Sequence, residues 1–230
     1  MFPQLLVCLY CLFLFFLFTN LGNGKTYLLY THFMKNDIET FVSQYITDTE
    51  EVVSIFLDLV EYVEYTPQEY LVKINEYTSD FYIIKEGIVR SFLLTDKGKD
   101  TTTSLFLPGE ISGAILSMVR NAPSDINYQA LTNVKVYKAN FHELKKRTLS
   151  SHKLATFYVK LLEKVYIMLE KIIFDISTLD ATERYLELRE AIPNIDNIIA
   201  QKYIASYLNI TPVQLSRIRK SLYSSTNSVI

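Results

Sequence analysis

Between Ser151 and Asp175 the chain runs twenty-five residues without Gly or Pro. Leu154, Tyr158, Leu161, Val165, Met168 and Ile172 recur there at spacings of 4, 3, 4, 3 and 4. A helix gathers such positions into one stripe, and a mean repeat of 3.5 keeps that stripe facing a partner helix. Leu162, Leu169 and Ile173 widen it. The segment reads as one long helix with a dimer seam, and the same stripe can also pack on a sheet of its own chain. Either way it divides the chain into a part before and a part after, and the two parts follow different periods.

The part before is sheet. "EYVEYTPQEYLVKI", "DFYIIKEGIVRSFLLTDKGKDTTTSLFLPGE" and "INYQALTNVKVYKA" are short runs rich in aromatic and β-branched residues, separated by turns. Gly87 and Gly98 stand where tight hairpins require positive φ. The hydroxyl run Thr101 to Ser104 reads as an exposed strand face. Many short strands at close spacing predict an antiparallel roll or barrel. Two helices are expected ahead of it. One runs from Asp37 to Ile46, with Ile38, Phe41, Val42 and Tyr45 on one face. The other lies in "TEEVVSIFLDLV", with Thr49 as N-cap.

The part after is helical. "DATERYLELREAIPNI" predicts a helix ending before Pro193. In "IAQKYIASYLNITPVQLSRIRK" a short helix, Gln201 to Leu208, turns Ile204, Ala205 and Leu208 inward. Asn209 follows, where a left-handed residue is needed and Asn is the best choice after Gly. Thr211 then caps a second helix and Pro212 fits its first position. Leu215, Ile218 and Leu222 share the inner face of that helix. Thr211, Val213, Gln214, Ser216, Arg217, Arg219 and Lys220 are left outside as candidate DNA contacts. Two short helices joined this way predict a helix-turn-helix, whose second helix can enter the major groove. The charge distribution agrees with this. The 230 residues carry a net charge of −2, with ten acids and one base from Asp37 to Glu76, but four bases and no acid from Asn197 onward. A duplex repels carboxylates and attracts Arg and Lys.

A roll, a long helix, "ERY" and this helix-turn-helix together resemble the cyclic-AMP receptor protein and fumarate–nitrate regulator family of bacterial transcription regulators, over about Met34 to Tyr223. The resemblance implies an α+β fold: an N-terminal antiparallel β-roll of the cyclic-nucleotide-binding, jelly-roll type, a long dimerisation helix and a C-terminal winged helix-turn-helix. The implied domains are 34–149, 150–176 and 177–230, behind a hydrophobic leader at 1–33. The wing is doubtful, because only "YSSTNSVI" follows Leu222. The resemblance also implies an effector pocket inside the roll. Gly109 and Glu110 match the family's Gly-Glu, whose carboxylate takes a ribose hydroxyl. Ser124 and Asp125 stand where the family's phosphate-binding Arg and its hydroxyl neighbour would be. A phosphate would lose its guanidinium fork there and meet a carboxylate. Cyclic AMP is therefore not expected, and the pocket reads as degenerate or built for another small effector. No cofactor and no metal are expected. The domain has no cysteine for an iron–sulfur cluster, and His142 and His152 read as surface groups. The partners implied are double-stranded DNA and a second copy of the chain, with RNA polymerase and an unidentified effector left open.

The leader has its own logic. Leu5 to Phe18 is free of charge, short for a membrane span and without a signal-peptide cleavage pattern. Translation beginning at Met34, a membrane anchor and a signal all stay open. Cys8 and Cys11 read as apolar filler within this run. Nothing resembles G-x-S-x-G, H-E-x-x-H or a P-loop, so an enzyme is not expected. The reading is a dimeric, cytoplasmic DNA-binding regulator. The alternative is a membrane-anchored ligand-binding module whose basic C-terminus meets acidic lipid or a protein.

Overall fold

The computed structural model describes residues 23–95 and 98–226. The apolar run at 5–18, with Cys8 and Cys11, lies outside them. The chain divides into two compact units, 1–58 and 59–230. The first holds α1 (Asn23–Ser43) and most of α2 (Glu50–Leu59). Helix α1 passes through Met34 without a break and ends at Ser43, where the sequence predicts a helix only from Asp37 to Ile46. Phe41 of α1 meets Phe56 of α2 edge-to-face at 6.0 Å, and Ile38, Val42, Val52 and Val53 are buried with them. No helix among the described residues is long and apolar enough to cross a membrane.

The second unit opens with eight strands: β1 (Val60–Tyr65), β2 (Tyr70–Val72), β3 (Asp80–Glu86), β4 (Val89–Leu94), β5 (Asp100–Phe106), β6 (Ile111–Ser112), β7 (Asn127–Ala130) and β8 (Val134–Asn140). A short helix, α3 (Ile115–Arg120), interrupts them. They form two antiparallel four-stranded sheets, in the orders β1-β8-β3-β6 and β2-β7-β4-β5. This is the predicted roll, with one difference in how it turns. The Gly98 turn closes a hairpin, because β4 pairs with β5. The Gly87 turn does not: β3 and β4 belong to different sheets, so Gly87 carries the chain across the roll. Its φ is +89°, and a Cβ there would lie 2.2 Å from the carbonyl oxygen of Asn133. Glycine is thus required on two grounds, backbone conformation and space.

Between the sheets lie Val72, Tyr82, Ile84, Val89, Tyr128, Ala130, Val134 and Val136. The Tyr82 hydroxyl donates to the Leu71 carbonyl at 2.8 Å, which satisfies a polar group in an apolar interior. Burial pushes the Tyr128 phenol up to about 12 and Tyr82 further still, so both stay neutral.

The remainder is helical: α4 (Phe141–Thr148), α5 (His152–Thr178), α6 (Ala181–Ala191), α7 (Ile195–Ile198), α8 (Gln201–Tyr207) and α9 (Pro212–Thr226). Ser151 caps α5 by accepting from the Leu154 N–H at 3.0 Å. Asp180 and Glu183 close a capping box at the start of α6. No strand follows β8 among the described residues, so the expected wing is not found between 141 and 226.

Candidate nucleic-acid interface

The helix-turn-helix forms as its local chemistry dictates. Asn209 takes the left-handed conformation with φ +55°. Thr211 accepts the Gln214 N–H at 3.2 Å, and Gln214 Oε1 accepts the Thr211 N–H at 2.8 Å. That reciprocal capping box fixes the start of α9. Gln201 Nε2 donates to the Pro212 carbonyl at 3.0 Å and locks the two helices at their turn. Arg184, in "ERY", donates to the carbonyls of Leu179 and Leu208, tying α6 to the end of α8.

Beneath this framework lies one apolar core. Tyr185, Leu188, Ile192, Ile195, Tyr203, Ile204, Leu208 and Leu215 pack together, with Ile218 and Leu222 against them. Ile88 and Leu131 of the roll are buried in the same cluster, and Leu105 and Leu107 pack on it. The helix-turn-helix is therefore seated on the outer face of the β2-β7-β4-β5 sheet rather than tethered to it.

The polar centre of that seat is Arg90, a residue the sequence reading did not single out. It is 2% exposed. Its guanidinium makes a bidentate pair with Asp100 at 2.6 and 2.8 Å and donates twice to Gln129 Oε1, at 3.0 and 2.8 Å. The Phe92 and Tyr203 rings lie 3.7 and 4.2 Å from it, measured to their centroids. Tyr203 also donates to Gln68 Oε1. Ser206 of α8 accepts the Thr102 N–H at 2.8 Å and donates to the Asp100 carbonyl at 3.2 Å. Helix α8 thus covers the free edge of β5, which is why Thr102 is buried rather than part of an exposed hydroxyl face. An Arg in the apolar run "GIVRSF" was the available signal, but its partners lie up to 113 residues away in sequence, as Tyr203 does.

The outer face of α9 sorts the predicted contacts. Val213, Ser216, Arg217 and Lys220 are exposed. Thr211 and Gln214 are exposed too, but Gln214 Oε1 is occupied by the capping box and also accepts from the Thr211 hydroxyl at 3.0 Å. Arg219 turns the other way. Its guanidinium pairs with Asp196 and donates to the Tyr185 hydroxyl at 3.1 Å, and Tyr185 donates to Asp196 at 2.6 Å. Burial pulls the Arg219 pKa down, but the bonds to Tyr185 and Asp196 more than restore it, and the net shift is upward. The physical reason for its departure from the predicted surface is Asp196, the last acid before the basic stretch, which lies under α9 and needs a cation.

The predicted seam divides as well. Leu154 is buried within its own chain, next to the equally buried Phe157. Tyr158, Leu161 and Ile172 are partly covered, and Val165 and Met168 are exposed. Leu162, Tyr166, Ile167, Leu169, Ile173, Phe174 and Ile176 are exposed beside them. In the roll, Glu110 Oε2 accepts the Leu107 N–H at 2.9 Å and Gly109 has φ +85°, so this pair builds its own turn. Ser124 is buried and its hydroxyl donates to the Ile126 carbonyl at 2.7 Å, whereas Asp125 and Arg120 are exposed. Among the described residues no cluster of His, Cys, Asp and Glu is arranged to hold a metal.

Residues 62–148 match the family model described as the cyclic nucleotide-binding domain. No curated protein matches the chain. Solved structures do. FixK2 from Bradyrhizobium japonicum is 19% identical over 73% of this chain and 86% of its own, with a TM-score of 0.61. CLP, described as a c-di-GMP responsive global regulator of Xanthomonas campestris, is 12% identical over 76% and 92%, with a TM-score of 0.60. A CooA variant from Carboxydothermus hydrogenoformans is 17% identical over 78% and 85%, with a TM-score of 0.57. At these identities the likeness is one of fold. The region matching the cyclic nucleotide-binding domain is joined through a long helix to a helix-turn-helix. The chain's structural neighbours FixK2, CLP and CooA are regulators of the cyclic-AMP receptor and fumarate–nitrate family, the family its sequence resembles.

Proposed function

We propose that the protein is a dimeric, sequence-specific DNA-binding transcription regulator. The observation that carries this reading is the outer face of α9. Val213, Ser216, Arg217 and Lys220 stand exposed on a helix whose start is fixed by its cap and whose inner face is fixed by Leu215. That face carries no carboxylate, because no acid occurs after Asp196. Its N-terminal half offers Val213 and Ser216 to base edges, Arg217 can reach a guanine with two hydrogen bonds, and Lys220 suits a phosphate.

Dimerisation is supported by the exposed apolar stripe of α5. Val165, Met168 and Leu169 are exposed, and a second α5 at the 3.5 repeat would bury them. Two copies related by two-fold symmetry would present two α9 helices to half-sites one helical turn apart.

The effector is not cyclic AMP in this proposal. A cyclic phosphate needs a cation inside the roll. Arg120 is exposed, and Arg90 lies on the outer face of its sheet, saturated by Asp100, Gln129 and Thr102. Selection from a pool of random duplexes by the full-length chain tests the reading. Enrichment of one two-fold symmetric motif is expected, and a pool unchanged after repeated rounds would overturn it.

A further inference from the structure

We infer that the β4–β5 hairpin of the roll is a second contact for the DNA backbone, working beside the helix-turn-helix. The inference rests on the DNA-binding reading and extends it to a part of the chain outside the helix-turn-helix. A cavity of about 330 Å³ opens between this hairpin and the turn joining α8 to α9. Lys99 and Asp100 line it from the roll, and Lys202, Asn209, Thr211 and Gln214 from the helices. Counted as charges these are two cations and one anion, but the anion is spent. Both oxygens of Asp100 receive N–H groups from the buried Arg90. Lys99 and Lys202 are exposed, and no carboxylate among the described residues pairs with either. The Lys202 ammonium stands 4.7 Å from the centroid of the Tyr203 ring, a contact that leaves its charge intact. The Thr211 N–H is already taken by Gln214, so the lysines rather than the helix end supply the positive field.

Two features identify the occupant. Gln214, which lines the cleft, stands three residues before the exposed Arg217 on α9, so the cleft adjoins the face proposed to meet DNA. Strand β5 beside Lys99 is also held in place: Ser206 accepts the Thr102 N–H and donates to the Asp100 carbonyl, so little ordering of this strand remains to be done on binding. Lysine ammoniums on an open surface suit phosphates, which position a protein without reading sequence.

Binding isotherms of the full-length chain test this, on a selected duplex and a scrambled one, at several salt concentrations. Lys99→Ala and Lys202→Ala should each weaken both duplexes alike. Each should flatten the dependence of log affinity on log salt by about 0.9, so that the loss between 50 and 200 mM salt shrinks about 3.5-fold. Lys99→Arg should restore the slope, and Lys145→Ala, at an exposed lysine of α4, should leave it unchanged. Both tested lysines are exposed, so an unchanged melting temperature will separate lost contact from lost fold. A wild-type chain that binds both duplexes while both alanine variants keep its slope overturns the hairpin contact and leaves the DNA reading standing. Losses confined to the selected duplex would overturn it too, because the hairpin would then read bases. A wild-type chain with no salt-dependent duplex binding would remove the DNA reading itself and this inference with it. In that case, salt-dependent capture of an acidic peptide through the same two lysines would mark the cleft as a protein-binding surface.

Discussion

Arg217 and Arg219 stand two residues apart on α9, and helical geometry turns them roughly 200° from each other. Arg217 projects from the surface, whereas Arg219 is held by Asp196 and the Tyr185 hydroxyl. Substitution should therefore separate reading from folding. Arg217→Ala should weaken the selected duplex by about 1–3 kcal/mol more than a scrambled one, the value of a bidentate guanine contact. Lys220→Ala should weaken both equally and flatten the salt slope by about one. Equal losses for Arg217→Ala on the two duplexes would move Arg217 to the phosphates. Gln214 Nε2 would then be the remaining amide reader, since Gln214 Oε1 is held by the cap. Arg219→Ala leaves Asp196 and Tyr185 without their cation. Stability should fall by about 1–3 kcal/mol, or roughly 2–12 °C in melting temperature for a chain of this size. A thermal scan that shows no change would mean that Arg219 contributes nothing to the fold.

At the scale of elements, what could be read from sequence follows from how local each determinant is. The turn of the helix-turn-helix is written in adjacent residues, Asn209, Thr211 and Pro212, each at the position its own backbone chemistry prefers, and it forms as expected. The 3.5 repeat of α5 is equally local. Its first member, Leu154, is nevertheless buried in its own chain, which periodicity cannot reveal because a stripe does not say what covers it. The positive φ at Gly87 was legible, but its role in crossing from one sheet to the other was not, because strand partners lie far off in sequence. The Arg90 network was hidden for the same reason. Its ligands come from β4, β5, β7 and α8, and only the fold assembles them. The remainder of α5 carries its own prediction. Val165→Asp with Met168→Asp places charges on the exposed apolar stripe. Sedimentation should show a dimer for the wild-type chain and a monomer for the double variant, since unpaired charges in a helical seam are costly. A double variant that stays dimeric would place the interface elsewhere.

At the scale of the whole molecule, the roll and the helix-turn-helix share one apolar core through Ile88 and Leu131, with Arg90 and Ser206 as polar links. A change inside the roll thus has a short physical route to α8. What would cause such a change is set by the interior, where Tyr82, Tyr128 and their neighbours pack between the sheets and the Glu110 carboxylate is engaged in its own turn. Cyclic AMP should leave the melting temperature of the full-length chain unchanged. A ligand at 100 times its dissociation constant would add about 2.7 kcal/mol, some 5–10 °C here, so a saturable rise of that size would restore cyclic AMP as the effector.

The central claim is sequence-specific recognition of duplex DNA by α9 of a two-fold dimer. The ratio of dissociation constants for the selected duplex and its scrambled counterpart, measured with the full-length chain at one physiological salt concentration, tests it most directly. A true regulator of this kind binds its site about a thousandfold or more tighter than random sequence. A ratio of that order, collapsing when the two half-sites are moved apart by half a helical turn, is the expected result. A ratio near one, with both duplexes held by the same salt-dependent attraction, would contradict the account.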